Sequence, residues 1–298
     1  MNIGIVGLGL IGGSLGLDLL SQNQENPANT NHSSNHNFVW GISRNPDTCQ
    51  QAEAIAAVNI ARTNIQEIPD RLLQQTEIVV ICTPIAAILP TIANLATQLP
   101  QGLIFTDVGS VKAAIVESAA AICQASGQTF IGSHPMAGTA FQGILAAEKQ
   151  LFQNRPCVIT FSDDLAASAK VRSLWQSVGM QIYECSAADH DRAVAMISHL
   201  PVMISAALIH SCQNEENPQV LQLAQNLASS GFRDTSRVGG GNPELGRFMA
   251  EYNRSALLKT LHNYQQSLQE IIALVENNQW QELETLLNNT QRDRANFL

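Results

Sequence analysis

The sequence predicts an α/β fold, a doubly wound parallel sheet, followed by an all-helical second domain. Three observations predict it. Short apolar strands alternate with helical segments up to about residue 186, and such alternation builds a parallel sheet with helices on both faces. A Gly-x-Gly-x-x-Gly run at Gly7, Gly9 and Gly12 joins the first strand to the first helix. From residue 187 onward helical periodicity continues without a convincing strand. A chain of 298 residues has the length of two domains, and the expected division is 1–186 and 187–298.

Residues 2–6 read as a buried parallel strand and 10–20 as a helix. Residues 21–37 are rich in Asn, Gln and Ser and read as a solvated insertion. Its His32 and His36 fit a polar loop better than a metal site. A strand at 38–42 and a helix at 48–57 follow. Apolar strands at 77–82 and 103–106 lead to helices at 91–98 and 112–125. Residues 129–131 and 157–161 are further strands, 165–178 a helix and 181–184 a last short strand. Helices are then expected at 189–212, 220–229, 243–277 with room for a break, and 279–294. The run Ala206-Ala207-Leu208-Ile209 suits close helix packing, either within one chain or in a homodimer.

Composition narrows the classes. Hydrophobic residues make up 45% of the chain, and the net charge of -9 argues against nucleic acid or an anionic membrane as partner. The six cysteines, Cys49, Cys82, Cys123, Cys157, Cys185 and Cys212, form no Cys-x-x-Cys pair. That pattern fits a reduced, cytoplasmic protein with neither a disulfide frame nor a zinc site, and no metal is expected. The N-terminus lacks a signal peptide's basic region, and no apolar stretch free of polar residues is long enough to span a bilayer.

The glycine run has a physical logic. The first glycine allows a tight turn, the second lets backbone approach a pyrophosphate, and the third lets helix pack on strand. Gly7, Leu8, Gly9, Leu10, Ile11 and Gly12 are therefore assigned to dinucleotide binding in a Rossmann-type domain. An acidic residue at the end of the second strand bonds the ribose hydroxyl of NAD. Here Ser43 and Arg44 stand there, with no carboxylate until Asp47. A hydroxyl and a guanidinium favour a 2′-phosphate, so NADP is the expected cofactor. Thr83 and Pro84 close another strand and are placed beside the cofactor path.

The chemical end centres on Gly132-Ser133-His134-Pro135-Met136-Ala137-Gly138. Proline disfavours helix for the residue before it, so His134 is expected to be extended, on a loop at a strand end. Such loops bind ligands in open α/β sheets, and a histidine with its ordinary pKa of about 6.5 can take a proton near neutrality. In Asp107-Val108-Gly109-Ser110-Val111-Lys112, Ser110 either caps the following helix or bonds a substrate hydroxyl. Asp107 is read as ordering the loop, and Lys112 as reaching cofactor or solvent. His199 lies in Ser198-His199-Leu200-Pro201. Arg233, Asp234 and Arg237 make Gly231–Arg237 a dense polar segment in a chain only 14% charged. Two arginines there suit an anion, through the guanidinium fork, although Arg233 and Asp234 also read as a local pair.

Together these segments resemble the prephenate/arogenate dehydrogenase (TyrA) family, and most of all its short cyanobacterial arogenate dehydrogenase members. The resemblance covers essentially the whole chain apart from residues 21–37. It implies oxidative decarboxylation of a cyclohexadienol in tyrosine biosynthesis, arogenate giving L-tyrosine or prephenate giving 4-hydroxyphenylpyruvate. It also implies that His134 is the base, that Ser110 lies near the ring hydroxyl, and that Arg237 holds the ring carboxylate. On the same ground Asp234 organises its segment and His199 contributes from the Ser-His-Leu-Pro helix; Arg233 is assigned to substrate binding as part of the two-arginine anion site. Some prephenate-using members carry a second histidine after that proline, where this chain has Val202. The expected substrate is therefore arogenate, with Asp191 a candidate reader of its ammonium group or merely a first-turn helix aspartate.

Alternatives of other kinds are a prephenate dehydrogenase using the same residues, a β-hydroxyacid-type oxidoreductase and an NADP-binding sensor without catalysis. The second would need a lysine-centred site, and Lys259 is the only lysine after Lys170. The third would not need a base, a hydroxyl and an anion clamp together. The chain's end at Leu298 leaves no room for a further regulatory domain, so weak or no allosteric control by tyrosine is expected.

Overall fold

The computed structural model describes residues 1–25, 37–139 and 141–297. Most of the insertion expected at 21–37, with His32 and His36, lies outside them. The described chain divides into two compact units, Met1–Val194 with Gly241–Asn253, and Ala195–Gly240 with Arg254–Leu298.

In the first unit, strands β1 (Asn2–Val6), β2 (Phe38–Ile42), β3 (Ile60–Arg62), β4 (Ile78–Ile81), β5 (Ile104–Asp107) and β6 (Thr129–Ile131) form one sheet. Their order is β3-β2-β1-β4-β5-β6, and every pair is parallel. Helices α1 (Leu10–Glu25), α2 (Pro46–Ala54), α3 (Asp70–Gln74), α4 (Ile85–Ala96) and α5 (Ala113–Ala125) connect these strands. Successive strand side chains point to opposite faces. Ile3, Ile5, Val39, Ile78, Val80 and Ile104 feed one core, and Val6, Trp40, Val79, Ile81 and Phe105 the other. A sheet buried on both faces needs such continuous apolar strands.

The later strands do not extend this sheet. β7 (Ser133–Pro135), β8 (Pro156–Thr160) and β9 (Gln181–Cys185) form a separate three-stranded sheet, with β7 antiparallel to β8 and β8 parallel to β9. Helix α6 (Leu165–Ser177) joins β8 to β9, and α7 (Ala187–Val194) follows. His134 thus lies within a short strand, where the sequence suggested a loop. Pairing with Val158 fixes its extended backbone.

Strand β3 and helix α3 went unread because three and five residues carry too little periodicity. Helix α4 begins at Ile85 and holds Pro90 inside it, where the expected helix began after the proline. A proline there costs about 3 kcal/mol, which the buried Ile88, Ile92 and Leu95 offset.

The second unit is helical among its described residues. A π-turn at Ala195–His199 precedes α8 (Leu200–Gln213), with Pro201 in that helix's first turn. Proline cannot donate the usual helical hydrogen bond, and the wider turn accommodates it. Helices α9 (Pro218–Leu227) and α10 (Ser230–Ser236) come next. Helix α11 (Pro243–Tyr252) belongs to the first unit, and α12 (Arg254–Glu276) and α13 (Trp280–Asp293) return to the second. The long helix expected at 243–277 is broken at Asn253.

Candidate active site

The turn from β1 to α1 is a cradle shaped by what its glycines lack. Gly7 has φ +105°, and a Cβ there would lie 2.6 Å from the carbonyl of Cys82. A Cβ on Gly12 would lie 2.2 Å from the oxygen of Gly7. Around Gly9 a Cβ would meet nothing within 4 Å, so this side of the turn is open to a ligand. Leu8 is buried beneath the turn, and Leu10 and Ile11 open the helix half-buried. Thr83, just past β4, has a buried hydroxyl with no hydrogen-bond partner, and Pro84 stands at the start of α4. An open glycine turn at a helix N-terminus, with an unsatisfied hydroxyl nearby in the chain path, fits the pyrophosphate and sugar of a dinucleotide. Ser43 follows β2 half-buried, its N–H donating to Arg62 O at 3.2 Å, and Arg44 is exposed beside it.

Behind His134 lies a saturated polar cluster. Ser133 Oγ donates to Asp107 O at 2.6 Å and receives Trp175 Nε1–H at 3.0 Å. It also meets Thr106 Oγ1 at 2.9 Å. One proton and two lone pairs are all that a hydroxyl has. Asp107 Oδ1 accepts Ser133 N–H at 3.2 Å, and its Oδ2 accepts Gly109 N–H at 3.0 Å. Asp107 therefore orders its loop, as the sequence suggested.

Lys112 reaches neither cofactor nor solvent. It is wholly buried, paired with Asp107, and donates to Ser133 O at 2.7 Å. Burial pushes its ammonium pKa down, and the neighbouring Asp107 carboxylate opposes that. The same cluster thus clamps both the amide and the carbonyl of the residue preceding His134.

His134 is 9% exposed, and its Nδ1 lies 2.9 Å from His190 Nε2. The rings meet edge to face, with centroids 5.1 Å apart. His190 Nδ1 lies 2.7 Å from Asp191 Oδ1. Asp191 also accepts Lys112 N–H at 2.7 Å and Ala113 N–H at 2.9 Å, and so caps α5. Ser110, the expected cap, sits half-buried just upstream and does not perform that role. Asp191 is 4% exposed with both oxygens engaged, which overturns its reading as a sensor of a substrate ammonium. His190 escaped the sequence reading, although an Asp-His-Asp tripeptide at a helix start was its visible signal.

In the second unit His199 is buried within the π-turn. Arg233 and Asp234 pair at 3.4 Å on α10, with side chains 76% and 73% exposed. Arg237 follows α10 and is exposed. The segment is anchored by Ser205 Oγ, which donates to Thr235 O at 2.5 Å.

A dinucleotide cradle and a buried histidine within one α/β unit define a dehydrogenase-type architecture. Residues 29–184 match the family model described as prephenate dehydrogenase, nucleotide-binding domain, and 186–289 that described as prephenate dehydrogenase, dimerization domain. The chain belongs to the prephenate dehydrogenase family and is an oxidoreductase. It is 28% identical to the prephenate dehydrogenase of Bacillus subtilis over 278 residues, 91% of this chain and 69% of that one. It is 48% identical to the crystal structure of Synechocystis arogenate dehydrogenase, with TM-score 0.83 and full coverage of both chains. The Aquifex aeolicus prephenate dehydrogenase, solved with hydroxyphenyl propionate and NAD+, shares the fold with TM-score 0.88 at 23% identity, covering 100% of this chain and 98% of that one. Membership of an enzyme family sets aside the reading of a non-catalytic sensor.

Proposed function

We propose that this protein is an NADP-dependent arogenate dehydrogenase that converts arogenate to L-tyrosine with His134 as the base. The observation that carries the reading is His134 itself, extended, nine-tenths buried and clamped through Ser133, in the unit that holds the glycine cradle. The 48% identity to an arogenate dehydrogenase supports the choice of substrate. His134 takes the proton of the ring hydroxyl, and Ser110 orients that hydroxyl. Arg237 holds the ring carboxylate through its fork with Arg233 beside it in the anion site, Asp234 orders the segment, and His199 completes the substrate group. The roles of Arg237, Asp234 and His199 rest on the family resemblance, and that of Arg233 on the chemistry of the segment. When bound, the oxidised nicotinamide supplies the hydride acceptor. Gly7 to Gly12, Thr83 and Pro84 hold the dinucleotide, and Ser43 with Arg44 receives its 2′-phosphate. Loss of carbon dioxide leaves an aromatic ring, so orientation is the protein's main task.

The domain division 1–186 and 187–298 remains our proposal, with the helical part forming a homodimer. Exposed Val220, Leu223 and Leu227 on α9, at helical spacing, support that. Six free cysteines support a cytoplasmic location. A second reading, prephenate as main substrate, is favoured by the Bacillus subtilis relative.

A four-way steady-state assay tests the proposal: arogenate or prephenate, each with NADP or NAD. Turnover confined to arogenate with NADP is expected. Better turnover of prephenate, or of NAD, overturns the corresponding half.

A further inference from the structure

His134 Nδ1 faces another histidine, and that histidine faces a carboxylate. Hydrogen-bond polarity along this chain can be worked out from its fixed end. An ionised carboxylate only accepts. Asp191 is held in that role by the backbone N–H groups of Lys112 and Ala113 at 2.7 and 2.9 Å. His190 Nδ1 must therefore donate to Asp191, which leaves the neutral ring's Nε2 as an acceptor. His134 Nδ1 must then donate to His190 Nε2 across 2.9 Å. A neutral His134 in this arrangement carries its basic lone pair on Nε2. His190 and Asp191 are 1% and 4% exposed, so water does not compete for these bonds.

We propose that His190 and Asp191 are positioning residues that fix His134 as the tautomer with a basic Nε2 and stabilise the imidazolium it becomes. The catalytic half of this inference rests on His134 being the base; the tautomer half does not. When the substrate O–H bond breaks, its proton forms an N–H bond at His134 Nε2. The Nδ1–H stays where it is, donating to His190, and no second proton moves. The positive charge then sits two hydrogen bonds from the Asp191 carboxylate, in a site where charge-assisted bonds are strong. This division of labour parallels that of a histidine–aspartate pair behind a nucleophile, with one more imidazole in the line.

The arrangement also couples the base to helix α5. The carboxylate that polarises His190 caps the amides that open α5, just after Ser110. Asn253 Nδ2, just past the end of α11, donates to Asp191 O at 2.7 Å and pins the same residue.

The full-length protein, labelled with 15N-histidine, tests this by long-range 1H–15N spectroscopy at pH 8. His134 is identified by the resonances lost in His134→Gln. A protonated Nδ1 and an unprotonated Nε2 are expected, and a wild-type His134 protonated on Nε2 overturns the proposal. This readout needs no substrate, so it stands even if the four-way assay shows no turnover.

His190→Ala should lower kcat at least ~10-fold, towards the ~10⁴-fold that a wrong tautomer costs in a histidine–aspartate pair. KM and cofactor affinity should stay within twofold. His190→Gln offers an amide that can accept from His134 and donate to Asp191, and should recover part of the loss. Unchanged kcat in His190→Ala, or an equal loss in the alanine and glutamine variants, also overturns the proposal.

Discussion

Trp175 Nε1 donates to Ser133 Oγ across 3.0 Å, so an indole on α6 holds in place the residue that precedes His134. The bond takes the last acceptor site of a hydroxyl already shared with Asp107 O and Thr106 Oγ1. Ser133→Ala would leave the buried indole N–H unsatisfied, at about 1–3 kcal/mol. Urea unfolding should show a loss of that size. Stability unchanged within about 0.5 kcal/mol would mean that the cluster does not clamp Ser133.

Gly9 and Gly12 should separate folding from binding. A methyl on Gly12 would collide with the Gly7 carbonyl at 2.2 Å, whereas one on Gly9 meets no protein atom within 4 Å. Gly12→Ala is expected to lower the melting temperature. Gly9→Ala should melt like the wild type and bind dinucleotide at least ~10-fold more weakly, because its methyl enters the space through which backbone approaches a pyrophosphate. Thermal melts check the first and calorimetric titration with NADP and NAD the second, and wild-type affinity in Gly9→Ala would refute the open-cradle argument.

Cofactor choice should turn on Arg44. It is exposed after β2, with Ser43 beside it and no nearby carboxylate until Asp47. Arg44→Ala should weaken NADP by about tenfold, roughly the worth of one charge-assisted bond, and leave NAD almost unchanged. The NADP advantage should also shrink with added salt. Equal losses for both cofactors would assign the discrimination elsewhere.

Asp18 on α1 gives a pH prediction. Burial raises its carboxyl pKa, against the opposing Gln150 N–H bond at 2.7 Å and the nearby Lys149 charge. Its other oxygen is buried without a partner. The folded state thus binds this proton more tightly than the unfolded chain does. Its stabilising contribution is complete below the ordinary value of 3.8 and is lost as pH rises through the raised folded value. Asp18→Asn keeps an acceptor for Gln150 and removes the charge. It should melt ~1–3 °C higher at pH 7 and level with the wild type near pH 3. A variant that melts lower at pH 7 would contradict this.

The first unit was legible because its signals are local. Five of the six strands in the parallel sheet announce themselves as apolar runs, and the glycine turn follows from backbone sterics. His134 and Asp107 could be picked out for the same reason. Lys112 was misread because a lysine after a loop is ordinarily solvated, and only Asp107 and Ser133 O together explain its burial. Asp191 was misread because a helix-start aspartate looks like its own helix's residue, whereas it caps α5. Both errors concern partners far apart in sequence, which periodicity and spacing do not encode.

That distance has a temporal meaning. His190 is made 56 residues after His134, and Asp191 follows Lys112 by 79. At about 5–20 residues per second, the ribosome delivers them several seconds after the residues of the sheet and of its glycine turn have been made. Until they arrive, the first turn of α5 lacks its carboxylate and the imidazole of His134 its neighbour. Completion of the polar line from His134 to Asp191 is then a late, long-range event that waits on the docking of α7.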